Sequence, residues 1–494
     1  MDEKKPLKKI IRSEGTGIGL AIFLLAALVR AVYLYDSSDN PTFFAPIVDS
    51  LTYDQMAREL VNGGSLTHEF FWQPLFYPLF LSLVYKLSSS SILVVKIVQA
   101  ILGCLTSVLV YVLGKKLFGK RAGVLAGVIT AIYIPLVFFE GELLAVGWAA
   151  FWSVALVLIL IKVAKKLSVW SCFVLGLCGG LSIITRPVFL PFFTAGFIWL
   201  MVVWIRRHID AKRLVLGVLT VAIGFSAIAL PAAYLSYRVV GKASILPYSG
   251  GINLYIGNNP NYRETITIRP GLAWRKLTEL PTDYGIKDRF EKERFFSNKA
   301  LNYIRTQPTS FMKGLMYKTT QFLSSREMPR NVDIYLFRKW SPLLALGVFR
   351  ASGFGFPFGL LLPLAVGGVV FTWRKVPVPI WLFLIFYPAS VILVFVTSRY
   401  RMPAIPVLSI LAAAGCAELW KILQSHQGKK LLAAAVIFLG VAVASSAVGP
   451  FYAEQVDYEP ELYYGLADSL DKHGNVAKAI DAYLRAIRLR SNYV

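Results

Sequence analysis

Residues 17–35 of the chain read GIGLAIFLLAALVRAVYLY, and residues 91–114 read SILVVKIVQAILGCLTSVLVYVLG. Each run carries a single charged side chain and is long enough to cross a hydrocarbon core of about 30 Å as a helix. Similar runs recur along the whole 494-residue chain, 56% of which is hydrophobic. A soluble protein of this length would need polar surfaces, so these apolar residues are expected to face lipid and neighbouring helices.

We predict an all-α polytopic membrane protein with about eleven transmembrane helices. Basic segments, from the leader Lys4–Arg12 to Lys421–Lys430, lie in alternate loops, and placing them all in the cytoplasm gives one self-consistent path. This path predicts a cytoplasmic N-terminus and an extracytoplasmic C-terminus. No small-residue cleavage site follows the first span, which is therefore predicted to remain as a signal anchor. The predicted spans are 17–35, 91–114, 122–138, 143–162, 169–185, 188–205, 214–236, 353–373, 378–397, 403–422 and 431–449.

The spans divide the chain into four predicted parts. Residues 1–236 form an N-terminal membrane module, and residues 341–449 form the C-terminal membrane helices. Between them, residues 237–340 are rich in Tyr, Asn, Gly and Arg and are expected to be an extracytoplasmic soluble region of α/β or mixed structure. The first outer loop, residues 36–90, contains an amphipathic helix over 49–62 and an apolar stretch, 74–86, that is too short to span. Residues 450–494 are an extracytoplasmic tail.

The tail has the residue spacing of one tetratricopeptide repeat, which predicts a C-terminal helical hairpin. About three repeats are normally needed to bury the faces of such hairpins. The single repeat therefore packs on the membrane domain, binds a protein partner or belongs to a longer array, and the sequence leaves these alternatives open. The spacing is carried by Tyr463, Leu466, Ala467, Leu470, Gly474, Ala479, Tyr483 and Ala486.

Several partner classes are disfavoured by the distribution of residue types. The net charge is +24, but the basic residues lie in short loops between spans, which disfavours nucleic acid and leaves acidic lipids or a phosphorylated substrate as partners. The four cysteines lie in apolar spans, and the four histidines show no metal-ligand spacing. The glycine-rich residues 250–260 lack the strand-to-helix context of a nucleotide-binding loop, and Gly257-Asn258-Asn259-Pro260 is predicted to be a turn.

Asp49 is the first candidate catalytic residue. It stands directly before the predicted amphipathic helix of the first outer loop, in the sequence Pro46-Ile47-Val48-Asp49-Ser50. A carboxylate held rigidly at the membrane surface can act as a general base toward an acceptor hydroxyl. The alternative is that Asp49 caps the N-terminus of the helix, a position for which Asp is a preferred residue.

Glu140 and Glu142 are the second and third candidates. They lie in a predicted turn of a few residues between two spans. Charged residues so close to hydrocarbon are costly and are often functional. Because turns at the interface are wet, two solvated loop glutamates are the alternative interpretation.

Three arginines are candidates for binding the phosphate of a donor. Arg186 follows an apolar helix and precedes Pro187, while Arg399 and Arg401 occupy the corresponding outer turn of another helical hairpin. Arginines at helix ends often extend toward the interface, which is the alternative explanation. However, the positive-inside tendency disfavours arginine on the outer side, and a planar guanidinium binds phosphate in a bidentate manner.

Acids and arginines in separate outer turns together predict a cavity at the outer interface that is suited to a lipid-phosphate donor. A flippase or transporter is the first rival, but such proteins place ionisable residues near the bilayer midplane, and the interiors of these spans are nearly free of charge. The second rival is a membrane-anchored scaffold that binds partners through its repeat tail, although one anchor would suffice for that role.

Four sequence motifs give the chain a resemblance to a known family. The chain resembles bacterial membrane glycosyltransferases of the GT-C fold, and in particular glycosyltransferase family 39, which includes protein O-mannosyltransferases and lipid A aminoarabinose transferase. The resemblance covers roughly residues 10–425 and leaves out the tail. The motifs are Trp72-Gln73-Pro74-Leu75-Phe76-Tyr77-Pro78-Leu79, Gly119-Lys120-Arg121-Ala122-Gly123, Thr185-Arg186-Pro187 and Ser398-Arg399-Tyr400-Arg401-Met402-Pro403.

The resemblance implies transfer of one sugar, a hexose or a pentose, with inversion from a polyprenyl-phosphate donor. The implied acceptor is a protein, a glycolipid or a polysaccharide on the outer side of the bacterial inner membrane. Asp49 matches the acidic residue that acts near the acceptor, and Glu140 or Glu142 matches the second acidic position. Many relatives have Asp-Glu where this chain has Asp49-Ser50. This difference leaves the base open. No required cofactor is implied, and a divalent metal is the alternative. Arg186, Arg399 or Arg401 would hold the lipid phosphate.

Overall fold

A computed structural model describes residues 4–268 and 272–490, with side chains from residue 15 onward except that of Leu272. Its helices are α1 Lys4–Asp36, α2 Asp49–Val61, α3 Phe76–Ser88, α4 Ile92–Phe118, α5 Lys120–Ala131, α6 Ile134–Gly141, α7 Val146–Lys165, α8 Val169–Thr185, α9 Leu190–Arg206, α10 Ala211–Val240, α11 Gly250–Gly257, α12 Tyr262–Thr265, α13 Leu272–Glu279, α14 Arg289–Thr306, α15 Pro308–Leu323, α16 Ile334–Phe337, α17 Pro342–Gly347, α18 Phe358–Thr372, α19 Val378–Val394, α20 Ser398–Arg401, α21 Ile405–Gln424, α22 Gly428–Ala447, α23 Glu459–Lys472 and α24 Val476–Leu489. The other described elements are two antiparallel strands, β1 Phe349–Ala351 and β2 Phe354–Phe356, and seven short 3-10 helices.

The all-α polytopic membrane fold predicted from the sequence is confirmed. Among the described residues, eight helices are long and apolar enough to cross a membrane, and α5 with α6 forms a further unit bent by 48°. Helices α8 and α19 are also apolar but have only 17 residues each. Each predicted span overlaps one of these helices, while the total of eleven stays a prediction.

Close helix packing builds the membrane domain. Helices α8 and α10 approach each other at Gly176 and Gly224. A Cβ atom added to Gly176 would lie 2.0 Å from the Val221 carbonyl oxygen, and one added to Gly224 would lie 2.2 Å from the Phe173 carbonyl oxygen. Small residues allow such approaches between helices in lipid, where van der Waals contact is a main source of association. These glycines therefore bring together two spans that precede the outer region.

Several basic loops that were predicted to be cytoplasmic contact one another at the end of the spans where they lie. Arg207 donates a hydrogen bond to the Lys165 carbonyl at 3.4 Å. Lys375 and Lys421 both form ion pairs with Glu418, at 3.6 Å and 2.8 Å. We call the opposite end of the spans the outer face. Which face meets the cytoplasm stays a prediction.

The region 237–340 is helical, and the expectation of α/β or mixed structure was wrong. Its described residues, 237–268 and 272–340, contain α11 to α16 and no strand, and the β1–β2 hairpin follows it in the chain. Side-chain caps explain two of the helix starts. Asp288 accepts hydrogen bonds from the backbone N–H groups of Phe290 and Glu291 at 2.9 and 3.0 Å, and Asp333 accepts one from Tyr335 at 2.9 Å.

The predicted turn after Gly257 anchors this region to the end of α19. Gly257 lies against Val394 so closely that a Cβ atom would be 1.6 Å from the Val394 carbonyl oxygen. The Asn258 amide donates to the Leu393 carbonyl at 2.8 Å. The buried Lys318 ammonium donates to the Gly257 carbonyl at 3.0 Å and to the Asn258 side-chain oxygen at 2.9 Å. The turn therefore fixes α11 against the membrane helices.

The tail forms the predicted helical hairpin, α23 and α24, and packs on the membrane domain. Gly465 lies against Ile47 of the first outer loop. The His473 Nε2 atom is 3.0 Å from a carboxylate oxygen of the buried Asp54, and Lys339 forms an ion pair with Glu459 at 2.5 Å. Of the alternatives left open by the sequence, the structure thus shows packing against this chain's own outer loop. A protein partner for the tail stays a prediction.

Replacing Gly257 with alanine should destabilise the protein, because the added methyl group would overlap the backbone of Val394. We expect a loss at the upper end of the about 1–3 kcal/mol that is usual for overpacking. Thermal unfolding of the detergent-solubilised protein, followed by the loss of monodisperse protein, measures the effect. Gly367→Ala is the matched control, because nothing lies within 4 Å of its added Cβ. Equal unfolding temperatures for the two variants would contradict this anchor.

Candidate active site

A cavity of about 470 Å³ opens at the outer face, where the first outer loop, the ends of four membrane helices, α11 and the tail come together. It is enclosed by segments far apart in the chain, so its lining is a product of the fold. The first outer loop, the Thr185–Arg186–Pro187 turn and the Arg399–Tyr400 turn all contribute to it. Its polar and aromatic lining includes Asp49, Tyr53, Trp72, Gln73, Arg186, Asn253, Trp274, Arg330, Arg399, Tyr400, Asp468 and Lys472.

Asp49 lines this cavity and does not cap a helix. Helix α2 begins at Asp49, and the capping position is taken by Val48, which makes no side-chain cap. Val48 has a φ of 54°, a conformation that β-branched residues rarely adopt. Such backbone strain costs about 1–3 kcal/mol and is concentrated at functional sites. The Asp49 carboxylate instead forms an ion pair with Arg399.

Arg186 and Arg399 lie side by side against the ring of Tyr400. Their guanidinium carbons are 4.8 and 5.0 Å from the ring centroid, respectively, and Arg186 donates a long hydrogen bond of 3.5 Å to the Arg399 carbonyl. Arg186 is only 7% exposed, yet it forms no salt bridge with any residue that the structure describes. A buried cation without a counter-ion is costly. The position is therefore suited to an anionic ligand.

A third arginine, Arg330, was missed by the sequence reasoning. It lies in the segment after α15 and packs over the ring of Phe395, with its guanidinium carbon 3.9 Å from the centroid. It lines the cavity and also a small neighbouring pocket that Asp49 and Arg399 line as well. No apolar run flanks Arg330 in the sequence, so the helix-end pattern that singled out Arg186 could not have found it.

Charge in the cavity is predominantly positive. The lining contains the cations Arg186, Arg330 and Arg399 and the carboxylate of Asp49. The tail adds Asp468 and Lys472, which form an ion pair with each other at 2.9 Å. That pair is internally neutral and Asp49 is paired with Arg399, so Arg186, for which the structure describes no salt bridge, is the lining cation that favours an anion.

Glu140 is buried away from the cavity. It lies near the end of α6, is 2% exposed and pairs with the equally buried Arg30 at 2.7 Å. Arg30 also donates hydrogen bonds to the carbonyls of Ala26 and Ala131, both at 3.2 Å. Glu140 therefore belongs to an ion pair inside the helical bundle. It lies neither beside Asp49 nor in a solvated turn.

Glu142 is also buried, at 7% exposure, and does not line the cavity. Burial raises the pKa of Glu142, and the nearby Lys96 ammonium opposes this rise. Gln99 fixes the backbone here, because its amide donates to the carbonyls of Glu140 and Glu142 at 2.8 and 2.9 Å. A solvated loop glutamate is therefore not what the structure shows, and a catalytic role for Glu142 stays a prediction.

Arg401 lies outside the cavity although Arg399 lines it. Residues two apart on a helix point about 200° away from each other, so α20 can direct only one of these arginines to the cavity. Arg401 is 1% exposed, pairs with Glu327 at 2.8 Å and donates to the Arg326 carbonyl at 3.0 Å. Its contacts are those of a buried structural ion pair.

Two further side chains define the chemistry near Asp49. Burial and the negative charge of Asp49 raise the pKa of Tyr53, which stays protonated, and its hydroxyl donates to the Gln73 side chain at 3.3 Å. Gln73 belongs to the Trp72–Leu79 motif, whose first three residues line the cavity. Among the residues that the structure describes, no group of three or more His, Cys, Asp or Glu side chains is arranged to hold a metal ion.

Comparison with known proteins relates part of this chain to membrane glycosyltransferases. Residues 72–230 match the sequence model of the family described as dolichyl-phosphate-mannose-protein mannosyltransferase. The resemblance predicted from the sequence is confirmed over this segment, which contains the Trp72–Leu79 motif and Arg186. The match does not extend to the tail, so the tetratricopeptide assignment stays a prediction. No curated protein matches the chain.

Solved structures of two enzymes align with this chain. The oligosaccharyltransferase of Archaeoglobus fulgidus in the apo form aligns with a TM-score of 0.47 and 15% identity, over 94% of this chain and 59% of that one. The same archaeal enzyme in complex with an inhibitory peptide and a dolichol-phosphate aligns with a TM-score of 0.45 and 14% identity, over 92% and 59%. ArnT from Cupriavidus metallidurans bound to undecaprenyl phosphate aligns with a TM-score of 0.31 and 11% identity, over 83% and 78%. This chain thus spans 59% of the length of the archaeal oligosaccharyltransferase.

Replacing Glu140 with leucine should destabilise the fold, because it leaves Arg30 buried without its counter-ion. Removing one partner of a buried ion pair typically costs about 3–5 kcal/mol. The double variant Arg30→Met/Glu140→Leu should recover most of this loss, since no charge is then buried alone. Thermal unfolding of the purified single and double variants measures both effects. A double variant that is stable but has lost catalytic turnover would instead support the catalytic role predicted for Glu140.

Proposed function

We propose that this protein is a membrane glycosyltransferase that transfers one sugar, with inversion, from a polyprenyl-phosphate donor to an acceptor at the outer face. The observation that carries the proposal is Arg186, a buried guanidinium without a salt-bridge partner among the described residues, beside the Asp49–Arg399 ion pair. The family match over residues 72–230 supports glycosyl transfer. The outer face would be the periplasmic side of a bacterial inner membrane.

The three arginines of the cavity would bind the phosphate of the donor. Arg186 and Arg399 are held in place by the Tyr400 ring, and Arg330 by the Phe395 ring. Guanidinium groups bind phosphate oxygens through parallel charge-assisted hydrogen bonds. Negative charge builds up on the phosphate as the bond to the sugar breaks, so fixed cations at this place stabilise the transition state.

Asp49 would act as the general base. In the proposed step, the acceptor oxygen attacks the anomeric carbon of the sugar while the bond from that carbon to the phosphate oxygen breaks. The acceptor proton passes to Asp49, and the electron pair leaves with the polyprenyl phosphate. A single displacement of this kind inverts the anomeric centre. Proton transfer to a positioned carboxylate contributes about 10²–10⁴-fold to the rate of such reactions.

The tail would take part in acceptor binding at the same cavity. Helix α23 contributes Asp468 and Lys472 to the lining, and the hairpin is held to the first outer loop by the His473–Asp54 contact. Asp54 lies on the helix that begins at Asp49 and is fully buried. Such placement favours a tail that completes the site over a tail that serves only as a scaffold.

Loss of Arg186 should weaken binding of the lipid phosphate. We expect Arg186→Met to raise the Kd for undecaprenyl phosphate at least tenfold, because a charge-assisted hydrogen bond contributes about 1.5–3 kcal/mol. Binding is measured by thermophoresis with the detergent-solubilised protein. Arg213→Met, in the first turn of α10 at the opposite end of the spans, is the control and should bind like the unmodified protein. Unchanged binding by Arg186→Met would exclude its role as a phosphate ligand.

Loss of the Asp49 carboxylate should abolish transfer without abolishing donor binding. We expect Asp49→Asn to slow release of polyprenyl phosphate from a polyprenyl-phosphate sugar at least 100-fold, as for the loss of a general base. The lipid products are quantified by mass spectrometry after incubation with membrane extract that supplies the acceptor. Near-normal turnover by Asp49→Asn, with undecaprenyl phosphate still bound, would rule out the base role and leave the phosphate site standing.

A further inference from the structure

A second cavity of about 320 Å³ lies between the first outer loop and the helical region 237–340. Its walls come from α2, α11, α13 and α14 and from the loop that carries Trp72. None of the groups assigned above to the donor phosphate or to proton transfer lines it. Its volume is at the lower end of the range of about 300–1,000 Å³ that is usual for small-molecule sites.

The second cavity is a neighbour of the first one. Thr52, Trp72 and Ile252 line both cavities. On α2, Asp49, Thr52 and Met56 are spaced by three and then four residues and so share one face of the helix. Along that face, Asp49 lines the first cavity, Thr52 lines both cavities and Met56 lines the second. A molecule that fills the second cavity would therefore border the cavity that Asp49 lines.

Aromatic rings and hydrogen-bonding side chains line the second cavity together. Trp72 and Tyr248 meet edge to face with ring centroids 5.4 Å apart. The polar groups include the carboxylates of Glu279 and Glu293 and the ammonium of Lys292. Sugar rings present C–H groups on their faces and hydroxyls around their edges. They are therefore complementary to a surface that combines aromatic rings with both acceptors and donors of hydrogen bonds.

Glu293 has one oxygen that is not satisfied within the described part of the chain. Its Oε1 atom accepts a hydrogen bond from the Gly251 backbone N–H at the start of α11. Its Oε2 atom is buried and has no hydrogen-bond partner among the described residues. Burial raises the pKa of Glu293 to about 7, against the lowering effect of the Gly251 and Ile252 N–H groups. A buried oxygen of this kind gains free energy from a ligand hydroxyl.

We propose that the second cavity binds the sugar ring of a saccharide acceptor and holds it beside Asp49. This inference rests on the proposed function, of which it specifies the acceptor class. The sugar faces pack on Trp72 and Tyr248, while its hydroxyls bind Glu279, Glu293 and Lys292. One hydroxyl of the bound sugar, or of the next unit along the saccharide, reaches the first cavity.

The walls of the second cavity fit a saccharide better than an extended peptide. Extended peptides are commonly held by backbone hydrogen bonds to an exposed strand edge. The walls here are helical, and the described residues of the region 237–340 contain no strand. Helix backbones have already used their N–H and C=O groups internally, so recognition depends on the side chains named above.

The proposal is tested with the full-length protein in nanodiscs and with methyl glycosides of glucose, galactose, N-acetylglucosamine and glucuronic acid as probes. Saturation-transfer NMR titrations measure binding of each probe and of a serine-rich and threonine-rich peptide. We expect saturable binding of at least one glycoside. Lys292→Ala and Glu279→Gln should each weaken that binding at least fivefold, and the bound glycoside should protect Trp72 from fluorescence quenching.

Matched controls lie on the same two helices. Lys276 on α13 and Glu291 on α14 are exposed and do not line the second cavity. Lys276→Ala and Glu291→Gln should therefore bind the glycoside like the unmodified protein, and all four variants should bind undecaprenyl phosphate normally. Absence of saturation by every glycoside, saturation by the peptide alone, or equal loss in test and control variants would overturn the proposal. Failure of the protein to bind undecaprenyl phosphate would instead refute the proposed function, independently of the glycoside titrations.

Discussion

A charge buried in a medium of low dielectric constant must be neutralised or hydrogen-bonded, and this constraint organises the protein. Arg30 pairs with Glu140, Arg401 pairs with Glu327, and the Lys318 ammonium is surrounded by backbone and side-chain oxygens. Each of these contacts joins segments that are distant in the sequence. Arg186 differs because no described carboxylate pairs with it, and it faces the cavity. The same rule that identifies the structural ion pairs thus identifies Arg186 as a position suited to an anionic ligand.

The region 237–340 and the tail matter because they close the cavity. The turn at Gly257 fixes α11 to the end of α19, which brings Asn253 to the lining. The tail reaches the same place through its contact with the helix that begins at Asp49. Both segments lie outside the family match, yet both contribute side chains to the cavity that residues of the matched segment also line. Acceptor selection, on the proposed function, would thus depend on parts of the chain that lie outside the family match.

Hydropathy predicted the positions of the spans well, because lipid leaves a chain few ways to satisfy its backbone. The site was harder to predict. Asp49, Arg186 and Arg399 converge as expected, since each was predicted to lie in an outer loop or turn. Glu140 and Arg401 had the same sequence pattern as these three residues, but they are buried in ion pairs. Their partners, Arg30 and Glu327, are 110 and 74 positions away in the chain. Local patterns carry no information about such partners.

The Asp49–Arg399 ion pair has a consequence for the order of events in the proposed reaction. The carboxylate oxygen that contacts Arg399 is engaged by the guanidinium and must be released before it can accept the proton of the acceptor hydroxyl. A donor phosphate that binds the Arg399 guanidinium would loosen this contact, and the Asp49 oxygen would be released only when the sugar to be transferred is present. The strained backbone at Val48 supports such an exchange, because it keeps the carboxylate directed to the cavity without a helix-capping bond that would have to break. Donor binding and base activation would then be coupled through Arg399, a residue that contacts both groups.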